Sequence, residues 1–218
     1  MTTMRQIAGV AWILAIALVG VPIHAEHPCT SPLILDLNGD GTIRTSGRNH
    51  PVLFDINADG FPEWVQWTFW EDGDGFLVLD RNGNGTVDDG SELFGNVTPL
   101  PSGELAADGF QALAVFDRPE YGGNGDGIIS ADDAIWRELR IWVDRNHDGT
   151  SQPSELSPLA RFGIVALGLE ARRTDVVDGN GNGHFLQGFF LRRVVDSGRV
   201  EFQEFVVHDV FFKVLHQD

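Results

Sequence analysis

The motif D-x-N-x-D-G recurs along this 218-residue chain and limits its fold more than any other feature. Each copy is a turn that gathers oxygen atoms inward, so a helix or strand has to end where a copy begins. The most complete copy runs from Asp144 to Glu155. It has side-chain oxygens at loop positions 1, 3, 5 and 9 (Asp144, Asn146, Asp148, Gln152), glycine at 6 (Gly149) and glutamate at 12 (Glu155). This is the EF-hand calcium pattern. Ca2+ is a hard cation that takes roughly six to eight oxygens. Thr150 would add its backbone carbonyl, Gln152 would bind directly or through water, and Glu155 would close the site with both oxygens. The competing reading is a solvated Asx-rich turn.

Other copies depart from the pattern in defined ways. The loop of Asp80, Asn82 and Asn84 has Gly85 at position 6, the Thr86 carbonyl at 7 and Asp88 at 9. Its closing acid, Glu92, falls one residue late. The loop of Asn124 and Asp126 has the Ile128 carbonyl, Ser130 and Asp133 at positions 7, 9 and 12. It lacks a first acid, which Asp117 would supply across an insertion. The loops of Asp36, Asn38 and Asp40 and of Asp55, Asn57 and Asp59 have no acid at position 12, though Glu63 sits at position 9 of the second. At Asp178 the motif has one acid and reads as a plain hairpin turn. Asp72 and Asp74 also read as turn residues.

The formal charge is −17, which excludes a nucleic-acid or anionic-membrane partner as the first expectation. Arg5 followed by the apolar run from Ile7 to Val21 reads as a signal peptide over residues 1–25, so a secreted product is expected. No other run is apolar enough to cross a bilayer, so no stable membrane insertion is expected after its removal. The single cysteine, Cys29, allows no internal disulfide, and bound metal is an alternative staple for such a chain.

The patterning predicts an α+β fold. Short apolar runs at Leu33–Leu37, Val52–Ile56, Trp64–Phe69 and Phe76–Asp80 predict β-hairpins with calcium-binding turns over residues 26–108. Helices at Phe110–Phe116, Ala131–Trp142 and Glu155–Phe162 would form a central paired EF-hand-like unit over 109–163. Ser130 would cap the second of them, with Asp132 and Asp133 in its first turn. Runs at Ile164–Ala171, His184–Val195 and Val200–Val214 predict a C-terminal antiparallel β meander over 164–218, the whole forming one compact domain. Residues 96–108 read as a flexible surface connection. Trp64, Trp67, Phe69 and Trp70 read as packing residues, with a sugar-binding platform as the alternative.

The stretches Pro32–Gly41, Leu77–Gly85, Gly90–Gly95, Asn124–Asp133 and Leu139–Glu155 together resemble the calcium-dependent self-processing module of iron-regulated RTX proteins. The resemblance covers roughly residues 31–165. It implies a calcium-folded module that cleaves an Asp-Pro bond at its own start. The matching bond here is Ser31-Pro32, and no proline in the chain follows an aspartate. The resemblance therefore carries over the calcium sites and the fold, and not the cleavage. The sequence points to a secreted, acidic protein holding several structural Ca2+ ions. The alternatives are a self-processing module and an adhesion module.

Overall fold

The computed structural model describes residues 30–215. The expected signal peptide and Cys29 lie outside the described residues. Eleven strands follow in order: β1 (Leu33–Leu35), β2 (Val52–Phe54), β3 (Glu63–Val65), β4 (Gly75–Val78), β5 (Ile128–Ser130), β6 (Arg140–Trp142), β7 (Leu156–Pro158), β8 (Ile164–Gly168), β9 (Arg172–Val177), β10 (Gly183–Asp196) and β11 (Arg199–Phe211). One antiparallel sheet runs β5-β8-β10-β11-β1-β4-β6-β7, with β9 also on β10, and β2 pairs β3 separately. Strands from all three expected parts of the chain share that sheet.

Its central strands are buried on both faces, which explains their unbroken apolar runs. Leu33, Leu35, Leu77, Ile141 and Val207 pack on one side with Phe110 and Leu113 of the helix α1 (Gly109–Ala114). Ile34, Phe76, Val78, Trp142 and Val210 pack on the other, against the β2–β3 hairpin and Trp67. Trp67 is fully buried and touches Phe54, Phe76, Trp142 and Phe212, whereas Trp64 is partly exposed.

The α+β expectation with a paired helical unit is overturned: the fold is mostly β. The expected first helix is present as α1, capped by the Asp108 side chain and continued by a 3-10 turn at Val115–Asp117. It is the α-helix among the described residues. The expected helix Ala131–Trp142 is a 3-10 turn at Ala134–Arg137 followed by β6. Asp133 does not stay in a first helical turn; its carboxylate accepts the Asn124 and Ser130 N–H groups. Leu139, Ile141 and Val143 face one core while Trp142 faces the other, a period of two that mimicked a helical stripe because both sets are apolar. The expected helix Glu155–Phe162 is β7 plus a 3-10 turn at Leu159–Phe162. Residues 96–108 lie at the surface, exposed from Pro101 to Leu105, and are tied down at two points. Ala106 donates to the Thr98 carbonyl, and both residues are buried.

The C-terminal meander is β9–β10–β11. Ser197 and Gly198, both at positive φ, turn β10 into β11. Near its base the His184 and His208 rings meet with their Nδ1 atoms 3.0 Å apart. Asp178 Oδ2 lies 3.6 Å from His184 Nε2. Burial, with His184 and Arg172 nearby, lowers the His208 pKa from 6.5 to about 4. Folded His208 is therefore neutral where the unfolded chain binds a proton, so stability is lost as pH falls from 6.5 through 4. In denaturant titrations across this window, His208→Gln is expected to flatten the decline relative to wild type. An unchanged slope would show that other groups control it.

Candidate metal centres

The turns that start at Asp36, Asp55, Asp80, Asp117 and Asp144 share one hydrogen-bond plan. The first aspartate accepts the N–H of the position-6 glycine, Gly41, Gly60, Gly85, Gly127 or Gly149. The position-3 amides of Asn38, Asn57, Asn82, Asn124 and Asn146 accept from the N–H of position 5. Asp40, Asp59, Asn84, Asp126 and Asp148 accept in turn from position 7. Each glycine at position 6 has positive φ, as the turn requires. Position 4 is also left-handed, even where it is Ala58 or His147, each at φ 57. That backbone costs a residue with a side chain roughly 1–2 kcal/mol. The plan is kept despite the cost, which marks the turns as shaped for their inward oxygens.

Asp117 takes first position in the fourth of these turns, across the insertion Arg118–Gly123: its carboxylate receives Gly125, Asp126 and Gly127. The closing acids reach back over their loops. Glu155 Oε1 accepts from Arg145 at 2.8 Å and Asn146 at 3.4 Å, and Glu92 Oε1 accepts from Arg81 at 2.9 Å and Asn82 at 3.4 Å. The one-residue delay of Glu92 is absorbed in the 3-10 turn Gly90–Glu92. Gln152, Asp88 and Ser130 also face their loops: Gln152 donates to Asp148, Asp88 receives Asn82 and Asn84, and Ser130 donates its N–H to Asp133. Thr150, Thr86 and Ile128 hold position 7.

The turns at Asp36, Asp55, Asp80 and Asp144 follow strands, whereas the one at Asp117 leads from the 3-10 continuation of α1 into β5. The loop 144–155 joins β6 to β7, which pair as Trp142↔Leu156. The loop at Asp55 joins β2 to β3. There Asp55, Asp59 and Glu63 bring carboxylate oxygens within 4.8 Å of one another, an acidic cluster able to hold a metal ion. Glu63 Oε2 is buried and lacks a hydrogen-bond partner. The motif at Asp178 is the turn between β9 and β10, tied to Thr45, Asn180 and Asn182. Asp72 pairs with Arg44, whereas Asp74 is buried beside the first loop.

Electrostatics set these loops apart from ordinary turns. Asp36, Asp55, Asp74, Glu92, Asp117, Asp133, Asp144 and Glu155 are all buried. Among the described residues, none forms an ion pair with lysine or arginine. Burial raises the Asp144 and Asp55 carboxyls above the usual range, and burial together with Asp59 and Asp55 does the same to Glu63. Burying a carboxylate without a counter-charge costs several kcal/mol. The donor set is entirely oxygen, which suits a hard divalent cation and not a thiolate- or imidazole-seeking metal. The residues present therefore fit Ca2+.

An SPM domain matches residues 33–206, a span that holds all of these turns. The iron-regulated protein FrpA of Neisseria meningitidis serogroup C is 41% identical over 162 residues, covering 74% of this chain. The matched region is 14% of FrpA, so the chain corresponds to a small part of that relative. Both the span of the domain match and the identity place this chain in the SPM-domain family, among the relatives of FrpA.

Proposed function

We propose that this is a secreted calcium-binding protein whose EF-hand-like loops take structural Ca2+. The observation that carries the reading is the set of buried carboxylates gathered in turns, none of them in an ion pair with lysine or arginine among the described residues. Each paired first and closing acid, such as Asp144 with Glu155, offers two negative charges that one Ca2+ neutralises. Amide and backbone oxygens complete a flexible shell that Mg2+, with its strict octahedral demand, fits poorly. Asp144, Asn146, Asp148, Thr150, Gln152 and Glu155 would hold one ion. The loops of Asp80 and Asp117 repeat that set with Glu92 and Asp133, and Asp55, Asp59 and Glu63 supply another. Extracellular modules can bind Ca2+ as weakly as about 10⁻⁴–10⁻³ M and remain filled, so the ions would stabilise the fold and carry no signal.

Native mass spectrometry with Ca2+, and with Mg2+ as control, tests this. Several Ca2+ adducts with no comparable Mg2+ are expected. An intact chain with no selective adduct would refute the reading, and fragments formed only with Ca2+ would favour self-processing. Glu155→Gln is expected to weaken one site by on the order of tenfold or more, because it removes the closing charge. Unchanged affinity and stoichiometry by calorimetry would count against that assignment.

A further inference from the structure

The first loop has no acid at position 12, where Gly47 stands, yet its first aspartate is 1% exposed. An acid distant in sequence lies against it. β1 and β4 pair antiparallel with Leu35 opposite Gly75, so the next step of the register sets Asp36 opposite Asp74. Asp74 is 2% exposed, and its Oδ2 has no hydrogen-bond partner. Its Oδ1 accepts the Leu37 N–H at 3.1 Å. Leu37 is loop position 2, the place whose N–H goes to Glu92 in the loop of Asp80 and to Glu155 in the loop of Asp144. Arg192 donates to the Leu37 carbonyl and lies close enough to Asp36 to interact with its charge, but it forms no ion pair with either acid.

We propose that Asp74 is the closing ligand of the first loop and completes a calcium site with Asp36, Asn38 and Asp40. This rests on the calcium reading of the loops and adds a ligand to it. A carboxylate with one oxygen used by a backbone N–H and the other buried without a partner lacks a cation, and the facing Asp36 supplies the second charge. The site differs from the other loops in origin. Its closing acid comes from the neighbouring strand, so filling it would also pin β1 to β4.

The test uses the full chain with Asp74→Asn, Asp36→Asn and the double variant. Asparagine keeps the shape of Asp74 and removes a buried charge, so melting in chelator is expected to be no lower than for wild type. In Ca2+, Asp74→Asn is expected to lose one ion by native mass spectrometry, or to weaken one site by on the order of tenfold or more in calorimetry. Asp36→Asn is expected to lose the same ion, and the double variant still only one. Full retention of ions and affinity in Asp74→Asn overturns the proposal, as does loss of two ions in the double variant. If wild type binds no Ca2+, the calcium reading itself fails, a result distinct from either.

Discussion

Removing Ca2+ with a chelator is expected to unfold this protein or to leave it without fixed side-chain packing at room temperature. Binding at a site held at 100 times its Kd stabilises the native state by about 2.7 kcal/mol. Four such sites would contribute ~11 kcal/mol, as large as the whole stability of a typical domain, about 5–15 kcal/mol. The calcium-free chain would also keep its buried carboxylates facing one another: Asp144 with Glu155, Asp117 with Asp133, Asp36 with Asp74. Asp36 and Asp74 sit at the ends of β1 and β4, and Asp144 and Glu155 at the ends of β6 and β7, so repulsion there opens the sheet from its turns. Near-UV circular dichroism suits the measurement, because Trp67 and Trp142 lie in one packed aromatic cluster. The signal is expected to collapse in chelator and return with Ca2+ but not with Mg2+. An unchanged spectrum and unchanged protease resistance would show that the buried acids are tolerated without metal.

The second large effect is expected from Trp142→Ala, at a loss of about 3–5 kcal/mol in saturating Ca2+. Trp142 is fully buried in β6, with ring centroids of Phe76 at 5.5 Å and of Phe54 and Trp67 at 5.6 Å. Its Nε1 also donates to Glu155 Oε2 at 3.4 Å. The substitution therefore leaves a cavity and loosens the acid that closes the loop 144–155. Trp142→Phe keeps most of the packing and removes the N–H, so its stability loss is expected to be much smaller. Calcium affinity should fall in both variants, and denaturant titration beside calorimetry separates the two effects. Equal affinity in wild type and both variants would show that the core does not support the loop.

The difference between what was readable and what was not follows from distance along the chain. The turns at Asp36, Asp55, Asp80 and Asp144 were legible because their hydrogen bonds close within a few residues. Even Asp117 was legible, since the motif it completes named the missing group. The helical unit was misread because Leu139, Ile141 and Val143 alternate with Trp142 between two cores, and an apolar run buried on both sides has no polar face to reveal its period. Asp74 gave no signal. Nothing in the spacing of Gly73-Asp74-Gly75 distinguishes it from the exposed Asp40, and only the pairing of β4 with β1 brings it to Asp36.

By itself the sequence determined the turn chemistry: an aspartate, an amide and a left-handed glycine at fixed offsets organise one loop through local hydrogen bonds, whatever surrounds it. Only the tertiary structure decided that the loop 144–155 joins two strands instead of two helices, and which acid closes the first loop. Those outcomes depend on contacts between segments far apart in the chain, where burial on both faces of a sheet outweighs local helical preference.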